Sequence, residues 1–273
     1  MTGAAVGDGG HEHTGEGMSW RVDAGVLEVA LHRAPCNELG SASLAELERL
    51  VPLLARPAGF GAVLLYSRLE SGFCAGADLR ELQTGLGTTA RPEGPVRAFL
   101  DRIHAVFDAV DQAPVTTVAA VHRVVFGGGL ELMLTCDVVV ADPSTRLCLP
   151  EMRLGIVPGF GAIPRLRRDF PGPVVRDLLL TGRSLGAKRA YELGLVAHLS
   201  PAGKSLDHAR SLARQAARFS PAAVAAAKSL AKPLPRAELD REKDLFCALV
   251  GRPDVAAALA RFVADTSARP YLP

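Results

Sequence analysis

The chain has 273 residues, of which 48% are apolar and 22% charged, and its formal net charge is only +2. That is enough apolar material for a large α/β core with a small additional region, and the even charge balance gives no general reason to expect nucleic-acid or anionic-membrane binding. The five cysteines, Cys36, Cys74, Cys136, Cys148 and Cys247, form no CxxC or CxxH cluster. This argues against a zinc site or a disulfide framework and for a reducing, cytoplasmic setting. No apolar run reaches the roughly 20 residues that a bilayer span needs.

Residues 1–17 are rich in Gly, His and acidic residues and are expected to form a disordered tail. They lack the charged-then-apolar order of a signal peptide. His11 and His13 could hold a metal only weakly, and no metal is expected. The run Val26–Leu31 reads as a strand. Residues 43–55 carry apolar side chains at 44, 47, 50, 51 and 54, which is helical spacing. Residues 61–66 read as a short buried strand.

Asp78 and Glu81 have the spacing of a capping box, so a helix should start there. Residues 84–96, rich in Gly, Thr and Pro, are expected to form a mobile loop, and residues 97–110 return to helical spacing. The β-branched run 115–125 reads as one strand, after which Gly127–Gly129 open another helix. Residues 138–141 read as the next strand. Such alternation implies parallel strands covered by helices. From about residue 201 the chain is Ala-rich and helical with no strand signal. The expected division is a tail at 1–17, a core at 18–200 and a helical region at 201–273.

Three segments carry the chemistry. Gly72–Arg80 has small residues that let backbone approach a ligand. Phe126–Leu132 places three glycines between a strand and a helix, leaving N–H groups free at a positive helix end that suits an anion. The third is Pro150–Gly159. The glycine run fits neither GxGxxG nor a P-loop, because Leu130, Glu131 and Leu132 follow it where those motifs need other residues.

The ordered series Phe73-Cys74-Ala75-Gly76-Ala77-Asp78-Leu79, Gly127-Gly128-Gly129-Leu130-Glu131-Leu132, Cys136-Asp137, Pro150-Glu151, Leu154–Gly159 and Arg165-Leu166 resembles the crotonase (enoyl-CoA hydratase/isomerase) family over roughly residues 20–200. The resemblance implies an α/β spiral of ββα units with a C-terminal helical trimerisation region, assembling as a homotrimer or dimer of trimers. It implies an acyl-CoA thioester as partner, with coenzyme A part of the substrate and no separate cofactor. Backbone N–H groups of Ala77 and Gly128 would hold the thioester oxygen as it becomes an enolate. Glu131 and Glu151 match the two acids of relatives that hydrate enoyl-CoA, with Glu131 on the water and Glu151 on the Cα proton. Ala75, Asp78, Leu79, Arg80, Pro158 and Gly159 match positions lining the substrate or coenzyme A.

The reading that follows is an enoyl-CoA hydratase-type lyase. The alternatives are a Δ3,Δ2-enoyl-CoA isomerase using Glu151 alone and a non-catalytic binding or assembly protein of the same fold. His122-Arg123 stands where relatives usually have Asn-Gly, Glu38 adds an acid to the Asn37-Glu38-Leu39 segment, and the tail through Arg269-Pro270 lacks the usual Lys-Arg pair. These departures leave the acyl group open. Outside the resemblance, the plain readings are a helix cap for Asp78, a structural role for Asp137 and a surface or core position for His104.

Overall fold

A computed structural model describes residues 12–87 and 93–265. Two sheets form its frame. In the larger, β1 (Glu12–Thr14), β2 (Met18–Asp23) and β3 (Val26–Leu31) pair antiparallel. Beyond β3, β4 (Ala62–Ser67), β6 (Thr116–Val121), β8 (Val138–Ala141) and β11 (His198–Leu199) follow in parallel. The smaller sheet runs β10 (Leu185–Gly186), β9 (Arg146–Cys148), β7 (Val124–Phe126), β5 (Gly72–Cys74), with only β10 antiparallel.

The helices between them are α1 (Ser41–Glu48), α2 (Val51–Ala55), α3 (Leu79–Gly87), α4 (Glu93–Asp111), α5 (Gly128–Leu134), α6 (Ala162–Asp169), α7 (Gly172–Thr181) and α8 (Ala187–Glu192). Four more complete the chain: α9 (Ser205–Ala216), α10 (Pro221–Ala231), α11 (Arg236–Val250) and α12 (Pro253–Ala264). No helix among the described residues is long and apolar enough to cross a membrane.

Several expectations need correction. Residues 12–14, placed in a disordered tail, form β1, where His13 stacks on Trp20 with ring centroids 4.1 Å apart; His11 lies outside the described residues. The helix expected over 43–55 is two, because Pro52 has no N–H to continue the ladder from α1. The loop expected at 84–96 is helical at both ends, in α3 and α4; residues 88–92 and Arg269-Pro270 lie outside the described residues. The strand expected over 115–125 is broken at His122-Arg123, where Arg123 has φ +47°. There the chain leaves the large sheet and enters the small one, so β6 and β7 serve different layers.

The capping box is half realised. Asp78 Oδ1 accepts the Glu81 N–H at 3.1 Å, but the Glu81 carboxylate turns instead to the Ser41 N–H at 2.9 Å. The main core fills the space between the two sheets and helices α1–α8, α11 and α12. A second cluster lies on the other face of the large sheet, where Val26, Leu64, Val118 and Val140 meet Ala209 and Ala213 of α9. Helix α11 packs along α4, and α12 against α3.

A buried ionic network ties the helices together. Arg165 is fully buried and reaches Asp111 at 2.7 Å and Asp108 at 2.6 Å. Arg168 also holds Asp111, while Lys232 of the α10 C-cap bridges Asp111 at 3.2 Å and Asp137 at 3.0 Å, and Lys228 reaches Asp137 at 2.7 Å. Burial works against the Asp111 charge, but Lys232, Arg165 and Arg168 outweigh it and hold its carboxyl below the usual range. Removing one member of such a set strands the others without water. Arg165→Leu is therefore expected to cost about 3–5 kcal/mol in urea unfolding, whereas Arg102→Leu, which loses only the exposed pair with Glu48, should cost below about 1 kcal/mol.

Candidate active site

Strands β5, β7 and β9 lie side by side and parallel, so their carboxyl ends open on one place. The first leads into Ala75-Gly76-Ala77, the second into Gly127-Gly128-Gly129, and the third into Pro150-Glu151. Ligand sites of parallel α/β sheets sit at such ends. The first two segments touch: Gly76 has φ +104°, and a Cβ there would lie 2.9 Å from Phe126 O and 3.2 Å from Gly128 N. Gly127 has φ +48°, and a Cβ on it would meet Glu151 Oε1 at 2.7 Å. Side chains at either position would force the segments apart.

The backbone donors there are unevenly used. Ala75 N–H donates to Cys36 O at 2.9 Å, Asp78 N–H to Leu39 O at 3.0 Å and Gly127 N–H to Cys148 O at 2.9 Å. The N–H groups of Ala77 and Gly128 have no hydrogen-bond partner among the described residues. Gly128 is the first residue of α5, where the helix end is positive. The Asn37–Leu39 segment braces this arrangement. Asn37 Nδ2 donates to Ser67 Oγ at 2.9 Å and Phe73 O at 2.8 Å, and Leu39 N–H donates to Gly76 O at 2.8 Å.

Two acids close the site. Glu131, in the first turn of α5, is 2% exposed. Its Oε1 accepts the Phe160 N–H at 2.8 Å and the Ala162 N–H at 3.0 Å. Burial lifts its pKa to about 7, against the pull of those N–H bonds and of Arg165. Glu151 opens a one-turn 3-10 helix, Glu151–Leu154, and its Oε2 is buried without a hydrogen-bond partner. Burial, followed by the nearby Glu131 charge, raises its pKa well above the carboxylate range. The two titrate as a pair.

Both acids line a cavity of about 40 Å³ together with Ala75, Ala77, Leu79, Gly128, Gly159 and Phe160. It holds little more than water. Beyond Ala77, Leu82, Phe160 and Phe246 lies an apolar cavity of about 250 Å³, lined also by Leu39, Ser41, Asp78, Val96 and Phe99. Two larger surface depressions, at Arg210 and Arg214 and beneath α10, touch neither acid.

Among the expected lining residues, Ala75, Leu79 and Gly159 face the small cavity and Asp78 the larger one, where it also pairs with Arg33 at 3.1 Å. Exposed Arg80 and buried Pro158 line neither. His122 Nε2 donates to Leu69 O at 2.9 Å, Arg123 is exposed, and Glu38 accepts from Cys36 N–H; none of the three lines either cavity. Sequence reasoning missed Phe160, Phe246 and Glu242. Glu242 falls in the buried stripe Leu239, Glu242, Phe246, Val250 of α11, and an acid inside an apolar stripe is the signal that would have found it. His104 is a core residue with a site contact: its Nε2 donates to Gly159 O at 2.7 Å.

Comparison with known proteins agrees with this architecture. An enoyl-CoA hydratase from Bacillus halodurans superposes with a TM-score of 0.82, covering 89% of this chain and 99% of its own at 21% identity, which speaks for the fold alone. A putative enoyl-CoA hydratase from Streptomyces coelicolor A3(2) is 30% identical with a TM-score of 0.75, covering 96% of this chain and 95% of its own. A carnitinyl-CoA hydratase from Mycobacterium avium is 26% identical with a TM-score of 0.78, over 92% of this chain and 97% of its own. The sequence profile described as enoyl-CoA hydratase/isomerase matches residues 21–263, and with that match the chain belongs to the enoyl-CoA hydratase/isomerase, or crotonase, family.

Proposed function

We propose that this protein adds water to, or removes it from, the Cα–Cβ bond of an acyl-CoA thioester. The observation that carries the reading is the convergence of Glu131 and Glu151 on one small cavity beside the unpaired N–H groups of Ala77 and Gly128. In the hydration direction the thioester oxygen sits between those two N–H groups. Glu131 takes a proton from water as its oxygen bonds to Cβ, and the double-bond electrons move to the thioester oxygen as an enolate. The enolate collapses as Cα takes a proton from Glu151, whose raised pKa keeps that proton available. Preorganised backbone donors of this kind are worth about 3–4 kcal/mol each in the transition state. The larger apolar cavity suits the acyl chain, and coenzyme A arrives as part of the substrate.

A second reading, double-bond isomerisation, gains from one observation: Glu131 Oε1 is already engaged by two N–H groups, whereas Glu151 Oε2 is unpaired. Glu131→Gln separates the two. Hydration of enoyl-CoA thioesters should fall by about 10²–10⁴-fold, followed by mass spectrometry of a chain-length panel in heavy-oxygen water. Isomerisation of a 3-enoyl-CoA at the wild-type rate with no oxygen incorporation by either protein would replace the hydratase reading.

The pH dependence follows from the same pair. Hydration should rise with pH as Glu131 ionises near 7 and fall again where Glu151 loses its proton, a bell in kcat/KM. Stability carries the opposite sign. The folded-state pKa of Glu131 is raised, so its contribution is complete below about 4.5 and lost as pH rises through about 7. Glu131→Gln cannot titrate, so in urea unfolding the variant should gain on the wild type between pH 5 and pH 8.

A further inference from the structure

Four successive amides at the start of α6 are shared alternately between two buried acids. Phe160 and Ala162 donate to Glu131 Oε1, at 2.8 and 3.0 Å. Gly161 donates to Glu242 Oε1 at 2.6 Å and Ile163 to Glu242 Oε2 at 2.9 Å. Glu131 comes from α5 in the core, whereas Glu242 comes from α11, more than a hundred residues later, and is 3% exposed. Both oxygens of Glu242 are therefore used, although the carboxyl lines neither cavity. One turn further along α11, Phe246 forms part of the wall of both cavities.

We propose that Glu242 is a positioning residue for Glu131. By taking the Gly161 and Ile163 amides it fixes the turn that presents the Phe160 and Ala162 amides to Glu131, so that a correctly aimed acid requires α11 to be docked. An isolated buried carboxyl at this place would be an expensive way to cap one helix; two interleaved ones constrain each other. Charge adds to the geometry. Burial, then the Glu131 charge, raises the Glu242 pKa well above the carboxylate range, against the pull of its two N–H bonds and of Arg165. The other charged or titratable groups around Glu131 are Glu151 from the 3-10 helix and Arg165 from α6, the latter already held by Asp108 and Asp111 of α4. His104 of α4, bonded to Gly159 O, is kept neutral, its pKa pushed down to about 4 by burial.

The kinetic arm of the test rests on the hydratase reading; the titration arm does not. Carboxyl titration by infrared difference spectroscopy is compared in wild type, Glu242→Gln and Glu131→Gln, the last assigning the Glu131 band. In folded Glu242→Gln the Glu131 midpoint should rise, because the Phe160 and Ala162 N–H groups that favour its charged form are no longer held in place, with kcat reduced about 10-fold or more and KM within about twofold. An unmoved or lowered midpoint in folded Glu242→Gln overturns the proposal. If that variant does not fold, Glu242→Asp decides, since it keeps the carboxyl but shortens the reach. Reduced kcat at unchanged KM supports the proposal, and wild-type kcat overturns it. A raised midpoint in an enzyme that turns over no enoyl- or 3-hydroxyacyl-CoA upholds the role of Glu242 while removing the hydratase reading.

Discussion

The site depends on how closely two backbone segments approach. Gly76 must lie against Phe126 O and Gly128 N with no side chain between them, and only then do the N–H groups of Ala77 and Gly128 open onto the same cavity. Everything around this contact maintains it. The parallel pairing of β5 with β7 sets the register, Asn37 and Leu39 hold the outer segment, and Gly127 leaves room for the Glu151 carboxylate. In the proposed hydration, backbone donors fixed by such packing would already be oriented when charge develops, so little reorganisation would be needed.

Much of this was legible in the sequence, and the reasons are local. The glycine run and the small residues before Asp78 sit at strand–helix junctions whose composition marks them, whereas Glu131 and Glu151 were picked out only by the family resemblance. The seven- and four-strand division was not legible, because Val115–Val125 is mostly apolar and β-branched, and it is the left-handed backbone at Arg123 that makes the His122-Arg123 pair a break between strands. Nor was β1, since three polar residues gain their strand conformation from pairing with Met18–Asp23 and not from their own pattern. Glu242 was hidden for another reason. The apolar stripe of α11 marks Glu242 as buried, but its role comes from a contact 79 to 81 positions away with the α6 amides, and no local spacing reports a contact of that range.

The C-terminal helices are bound to the core by two different means. Lys228 and Lys232 anchor α10 through buried charge, whereas α11 meets the site directly through Glu242 and Phe246. Helix α10 itself has no buried residue, and Leu230 on it is 86% exposed. The region thus joins a wall of the cavity to an outward apolar surface within about thirty residues of chain.

The strands have a further consequence. At the edges of the two sheets lie β1, β11, β5 and β10, with three, two, three and two residues among those described. Edges this short offer almost no template for a foreign strand. Among the described residues, edges of this length disfavour strand-to-strand stacking and aggregation between copies of this chain.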